Sequence, residues 1–366
     1  MNFDLAERNT EVSAKLAALR TASGFDMVIR LRGSDWFSWA TAGASNVVLL
    51  TTETGIAELL ITAQDAWVLT DEIEAQRLID EELPSIFKIQ VGPWAFPAAR
   101  ETVVQDILSG ATVLSDRPRN AEQPLPAELH AAKRNMSASE ITRYREVGRL
   151  ASAAMCEVLR AARPEWSEYQ LAGAGAEALW TRGLHPALTL AAGEQRLPIY
   201  RHPTASAAKL GSRAMLVFCA RGYGLYANLT RFVSFAKMPH DWGKLQQQVG
   251  EIEAEALDAC RPGLGLNEIY QTLATAYRAH GHTSAINQHH QGGTTGYLAR
   301  EIVATPDTFE TLSNATPIAW NPSLRGGAKI EDTFIVTANG LEDMTYDATW
   351  PYALVHGRLR PQVLEQ

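Results

Sequence analysis

The passage MLVFCARGYGLYANLTRFVSF, residues 215–235, decides how the chain is read. It reads as a strand segment with polar residues placed where a binding face would lie. Two later passages share that logic, HHQGGTTGYLAREIV at 289–303 and WNPSLRGGAKIEDTFIVTANG at 320–340. Short strands present polar side chains on one face, and Gly292, Gly293 and Gly296 permit close approach of backbone or ligand, although glycines also serve as plain turn makers. The run RGGAK, 325–329, lacks a phosphate-loop pattern and reads as the turn before Glu331.

Working outward, Ser137 stands three places before Glu140, the pattern of a capping box. Behind it Ile141, Tyr144, Val147, Leu150, Ala154, Met155 and Val158 mark one apolar face, which predicts a long amphipathic helix. Ser167 caps a second helix with Tyr169 through Leu179 inside it, and further helices are expected over about 241–261 and 267–281. Helices interleaved with pairs of strands argue an α+β domain with an antiparallel sheet. Upstream, residues 4–23 carry Leu5, Val12, Leu16 and Leu19 at helical spacing, with Gly24 placed to end the helix. FDMVIRL, VVLLTTE and AELLITAQDAWVLTD then alternate short β-branched runs with turns. A helix is expected at about 72–81, where Asp71 and Glu72 suit its start, and a strand–helix pair over 87–109. The Pro-rich, aperiodic SDRPRNAEQPLP, 115–126, marks a boundary between domains 1–120 and 121–366.

Composition bounds the function. A chain of 366 residues with 46% apolar and 20% charged residues is that of an ordinary two-domain globular protein. A net charge of −8 disfavours a nucleic-acid binder that works by neutralising phosphates. Cys156, Cys219 and Cys260 form no framework, which suggests free thiols in a reducing compartment. The polar, acidic start is not a signal peptide, and no apolar run approaches the roughly 18 residues of a membrane span. A cytoplasmic enzyme or binding protein acting on a small molecule is expected, without a membrane or nucleic-acid partner.

Together the three passages closely resemble the metal-bearing segments of the creatinase/aminopeptidase P/methionine aminopeptidase family, peptidase family M24, which has the pita-bread fold. The resemblance implies an α+β pita-bread C-terminal domain behind a smaller α/β N-terminal domain of the creatinase/prolidase type. There SDWFSWATAG, 34–43, stands where the family has an aromatic turn. Matched on the closing Thr230-Arg231, the two metal-binding Asp of the first motif fall on Val217 and Asn228. In the second motif the metal-binding His falls on Gly293, and the His assigned to substrate contact on Arg300. Glu-Pro-Gly becomes Asn321-Pro322-Ser323, and only the carboxylate of Arg-Ile-Glu-Asp survives, as Glu331. Val cannot ligate, and a neutral amide is a poor substitute for a bridging carboxylate. The expectation is a site with no metal and no cofactor.

Creatinase cleaves a C–N bond without metal, using a His in the region of His202 as acid and base. The resemblance therefore gives catalysis to His202 and Glu331, while a His that merely caps the turn before Pro203 is the plainer reading. Arg300 is placed to clamp a substrate carboxylate. Asn228, Asn321, His289, His290, Tyr297 and Arg231 complete the expected binding set. Core packing explains Tyr297, Tyr223, Tyr226 and Trp320 equally well, and ordinary ion pairs explain the arginines. The family also holds lyases and non-catalytic binding modules, so elimination, proton transfer or binding alone stand beside hydrolysis. A metal-dependent Xaa-Pro peptidase with shifted ligands such as His289 or His290 is the remaining reading. A homodimer is expected from the same resemblance.

Overall fold

The computed structural model describes residues 5–24 and 27–366. Residues 4, 25 and 26, onto which the first expected helix and strand also extended, lie outside the described residues. The chain forms two units that divide between Lys133 and Arg134, later than the Pro-rich passage expected to part them.

In the first unit Val12, Leu16 and Leu19 are buried along one side of α1 (Leu5–Ser23), and Gly24 follows with φ 76°, the left-handed conformation that ends helices. After β1 (Met27–Gly33) the chain first forms the helix α2 (Ser34–Ala40) and then turns at 41–43, so the expected turn takes up only the end of the passage 34–43. Trp36, Phe37 and Trp39 lie buried along it, and burial of three aromatic rings favours the helix ahead of the turn. Then come β2 (Thr54–Ile61), β3 (Ala66–Asp71), α3 (Ala75–Arg77), β4 (Lys88–Gly92), α4 (Pro97–Leu108), β5 (Thr112–Ser115), β6 (Gln123–Pro124) and α5 (Ala127–Arg134). The six strands form one sheet in the order β4-β3-β2-β1-β5-β6. The helix expected over 72–81 is only the short α3, continued by a π turn over Leu78–Glu82.

The second unit opens with α6 (Ala138–Ala161), whose Ser137–Glu140 capping box is formed, and α7 (Glu168–Trp180), capped by Ser167 with Gln170. Three strands follow, β7 (His185–Gly193), β8 (Arg213–Gly222) and β9 (Leu225–Ser234), then α8 (His240–Ala259) and α9 (Leu266–Ala279). The remaining strands are short: β10 (Gly292–Thr294), β11 (Ile302–Val303), β12 (Pro317–Trp320), β13 (Ser323–Leu324), β14 (Ala328–Lys329), β15 (Asp332–Thr337), β16 (Gly340–Asp343), β17 (Tyr352–Val355), β18 (Arg358–Pro361) and β19 (Leu364–Glu365). Of the passage 289–303 only the ends are strand, because its glycines weaken any longer ladder.

Two helix-backed sheets result. In β8 and β9, Leu216, Phe218, Ala220, Ala227, Leu229 and Val233 pack with residues of α6 and α7, which leaves Val217, Cys219, Asn228 and Thr230 on the other face. In the second sheet Ile318, Trp320, Phe334 and Val336 pack with Val249, Ile252, Leu257, Ile269 and Leu273 of α8 and α9. The sheets are stitched where Thr230 N–H donates to the Glu331 carbonyl at 3.0 Å. Beside it Asn228 and Thr333 exchange two bonds of 2.8 and 3.0 Å. No helix among the described residues is long and apolar enough to cross a membrane.

Candidate functional site

The seam between the sheets forms the floor of the site. Because strand side chains alternate, Ile330 enters the core of the second sheet while Lys329 and Glu331 face the other way. Glu331 is buried, accepts from Thr230 Oγ1 at 3.3 Å, and is paired through its other oxygen with Arg300. Arg300 also donates to the Ala299 carbonyl at 2.7 Å. Asn228 points its amide nitrogen at Thr295 Oγ1, 3.0 Å away. Asn228 Oδ1, Asn321 Oδ1, Thr294 Oγ1 and Arg300 Nε are buried without a hydrogen-bond partner. Other buried atoms such as Arg32 Nε, Asn46 Oδ1 and Arg360 Nη1 are also unpartnered, but here amide, hydroxyl and guanidinium atoms gather around one carboxylate, which calls for an explanation. Lys329 is 5% exposed, lies opposite Ser323 in the β13–β14 pair, and makes one long bond of 3.5 Å to the Asn321 carbonyl. Burial lowers its ammonium from the usual lysine range. Burial and the Glu331 charge push the neighbouring Cys219 up to about 12, so this thiol stays protonated.

Three histidines stand over that floor. His202 comes from the β7–β8 connection and His289 and His290 from the α9–β10 connection. The ring centroids of His202 lie 5.8 and 5.6 Å from those of His289 and His290, which are 5.9 Å from each other. His289 is fixed by Ser323 Oγ, 2.5 Å from its Nε2, and by the His290 carbonyl at its Nδ1. Arg201 donates to the same Ser323 hydroxyl at 3.4 Å and to Gln288. His202 and His290 keep an exposed edge, and neither ring makes a hydrogen bond among the described residues. Burial and then the Lys329 charge hold His202 below the usual imidazole value and take His289 to about 3. Burial and then the Arg300 charge take His290 to about 4. Solvent at the exposed edges softens these shifts, but both causes act in one direction and the three rings are neutral at neutral pH. Neutral imidazoles over a cationic floor can exchange protons with a bound molecule and favour anionic groups on it. A cleft of about 1240 Å³ bounded by α8 and the β17–β18 hairpin shares Thr230 and Lys329 with this site but includes none of the three histidines.

The structure thus brings together His202, His289, His290, Arg300, Asn228, Asn321 and Glu331. Two expected residues are elsewhere. Arg231 points to the opposite face from Thr230, where Asp332 Oδ1 accepts from it at 2.7 Å. The Tyr297 hydroxyl donates to Glu140 of α6 at 2.7 Å and the residue is 1% exposed, so its role is packing. Trp320 is likewise core, with its indole N–H on Cys260 Sγ at 3.2 Å. The expected clamp, Arg300, is already engaged by Glu331. Lys329, Arg201 and Ser323 were not foreseen. The signal for Lys329 was its place two before Glu331, the spacing of a shared strand face.

A pair of divalent cations does not fit these residues. The surviving carboxylate is neutralised by Arg300, an ammonium lies buried beside it, and Asn228 turns its NH2 inward to Thr295. At Gly293 the backbone itself excludes the missing ligand. Its φ is 150°, and a Cβ there would lie 2.1 Å from the Ile302 carbonyl oxygen. Among the described residues no three His, Cys, Asp or Glu converge as metal ligands, and both ring nitrogens of His289 are taken.

The solved structures similar to this chain share its fold. They include the Xaa-Pro dipeptidase from Bacillus anthracis, at 16% identity and TM-score 0.73 over 97% of this chain and 100% of that one. The X-Pro aminopeptidase from Thermotoga maritima is similar at 16% identity and TM-score 0.76, over 97% and 99% of the two chains. The N-terminal domain of the FACT complex subunit SPT16 from Cicer arietinum is similar at 11% identity and TM-score 0.69, over 94% and 97%. Such likenesses show the pita-bread architecture and say nothing of the reaction. No curated protein sequence matches the chain. The model of metallopeptidase family M24 matches residues 142–338, the stretch that carries all but the edge strands β16 and β19 of both sheets and every residue of the site just described. That match reaches over more than half of the 366 residues, and the chain belongs to metallopeptidase family M24.

Proposed function

We propose that this protein is a hydrolase that cleaves a C–N bond in a small polar substrate without metal, using the His202 imidazole to move the proton. The observation that carries the reading is the closure of Glu331 onto Arg300 beneath neutral imidazoles. In a metal-dependent enzyme the cation makes hydroxide from water. Here neutral His202 accepts a proton from water as its oxygen attacks the carbon. The imidazolium then returns that proton to the nitrogen as the C–N bond breaks, so the ring ends neutral. Glu331 acts through Arg300 as a positioning residue. A second reading, a binding protein without turnover, is favoured by the likeness to the N-terminal domain of SPT16, a subunit of the FACT complex. Homodimerisation, which sedimentation measures, and residence in a reducing cytoplasm, which three free cysteines suit, belong to the same proposal.

The test is turnover of a panel of small N-substituted amino acids and amides, with metal content measured on the same preparation. The expected results are hydrolysis that survives a chelator and less than one equivalent of bound metal. His202→Ala is expected to lose roughly 10²–10⁴-fold in kcat/KM with an unchanged melting temperature. About two equivalents of metal, or activity that chelation abolishes, sinks the metal-free mechanism. Full turnover by the variant removes His202 from it, and no turnover across the panel leaves the binding reading.

A further inference from the structure

We propose that Lys329 is the anion anchor of this site: its buried ammonium, with Arg201 and Arg300 about it and three imidazoles above, takes the carboxylate of the ligand. This rests on the reading of the cluster as a metal-free ligand site and names what the site selects.

The first observation is a buried charge without an ion pair at contact distance. Lys15, Lys133 and Lys329 are the buried lysines among the described residues. Lys15 lies 2.8 Å from the Glu11 carboxylate and Lys133 2.7 Å from Asp35. Lys329 has no ion pair among the described residues and only the 3.5 Å bond to the Asn321 carbonyl. The nearest counter-charge, Glu331, is already paired with Arg300, so the ammonium is kept out of water without an ion pair of its own, and an incoming anion offsets that cost. The second observation is the local balance. Arg300 and Glu331 cancel, while Arg201 finds only the neutral Ser323 and Gln288. Lys329 and Arg201 are therefore left as an excess of positive charge around a group of neutral side chains. The third is access. His202 and His290, which feel the Lys329 charge, keep an exposed edge, so small solutes reach the group from that side. The expected carboxylate clamp, Arg300, is a poor candidate because Glu331 and the Ala299 carbonyl already occupy two edges of its guanidinium. A flexible point charge on Lys329 suits one carboxylate oxygen, without the bidentate geometry an arginine needs.

The probe is acetate, with acetamide as its neutral isostere, followed by calorimetry and by the imidazole resonances of the intact protein at constant ionic strength. Acetate is expected to bind and acetamide not to, with the resonances of His202 and His290 moving together. Lys329→Met keeps the volume of the stem and is expected to weaken acetate about tenfold or more. Lys329→Arg restores the charge and stays within a few-fold of the wild type. Arg201→Gln, at a partly exposed position, weakens acetate less than Lys329→Met and guards against a variant that simply misfolds. Equal affinity for acetate and acetamide, undiminished binding in Lys329→Met, or a shift confined to His240 and His280 in the neighbouring cleft overturns the proposal. Acetate binding through Lys329 with no C–N hydrolysis keeps this inference and sinks the hydrolase reading. Hydrolysis of neutral amides by a protein indifferent to acetate does the reverse.

Discussion

Thr230 and Arg231 are neighbours, as are Glu331 and Asp332, yet their side chains serve opposite faces of the seam. On one face Arg231 and Arg360 both reach Asp332, at 2.7 and 2.9 Å, and Arg360 adds two bonds of 2.7 Å to Glu253. Asp332 Oδ1 also accepts from Thr345 at 2.6 Å. The acids equal or outnumber the bases there. Burial, together with the Asp332 charge, pushes Asp343 up to about 6 and Glu253 up to about 7. On the other face Glu331 meets Arg300, Lys329 and the nearby Arg201, and several buried amide and hydroxyl atoms have no partner. Two charged clusters built from adjacent residues thus differ in pairing: Arg231 and Arg360 each keep one nitrogen without a hydrogen bond but both hold Asp332, whereas Lys329 on the other face has no ion pair among the described residues. The paired one holds the sheets together, and the other is the one proposed to take a ligand.

The largest expected effect breaks the structural face. Arg231→Ala leaves Asp332 short of its 2.7 Å partner in a dry setting, which costs about 3–5 kcal/mol measured by urea unfolding. An effect below about 1 kcal/mol would mean that Arg231 is not the structural residue described here. A smaller effect sharpens the difference at Gly293, where the Ile302 carbonyl leaves no room for a Cβ. Gly293→Ala is expected to lose about 1–3 kcal/mol of stability. Gly293→His, which restores the side chain of the metal motif, loses at least as much and gains no metal by elemental analysis. A stable variant of that kind that takes up zinc or manganese would reopen the metal reading.

The smallest effect is one of pH. His289 and His290 have folded values of about 3 and about 4, below the ordinary 6.5, so the unfolded chain binds more protons between those limits. Their contribution to stability is intact above pH 6.5 and is lost as pH falls through that window. Glu253 and Asp343, whose folded values are raised, act in the opposite sense. The comparison is therefore wild type against a His289→Asn, His290→Asn double variant, whose melting temperature falls less steeply from pH 6.5 to 4. Parallel curves would show that the site imidazoles are not held neutral by their surroundings.

Much of the scaffold was legible in the chain. The capping boxes at Ser137 and Ser167 fixed where α6 and α7 begin, because a helix start is a local hydrogen-bond problem that a few residues solve. The ordered glycines, Thr230-Arg231 and Ile330-Glu331-Asp332 specified the family, and Val217, Asn228, Gly293 and Asn321 announced the lost ligands. The turn at 41–43 is legible, but the helix α2 before it is not, because its aromatic residues take their conformation from burial, which no local pattern displays.

The same limit applies to the site. By itself the sequence determined the architecture, the absence of the metal motif's ligands and the candidacy of His202, since these depend on residue identity and spacing. Only the tertiary structure decided that Arg231 is structural and Arg300 already paired, and that Lys329 lies buried with no ion pair among the described residues. Whether a charge is spent or free depends on what the fold places within about 4 Å of it, and those partners come from strands far apart in the chain.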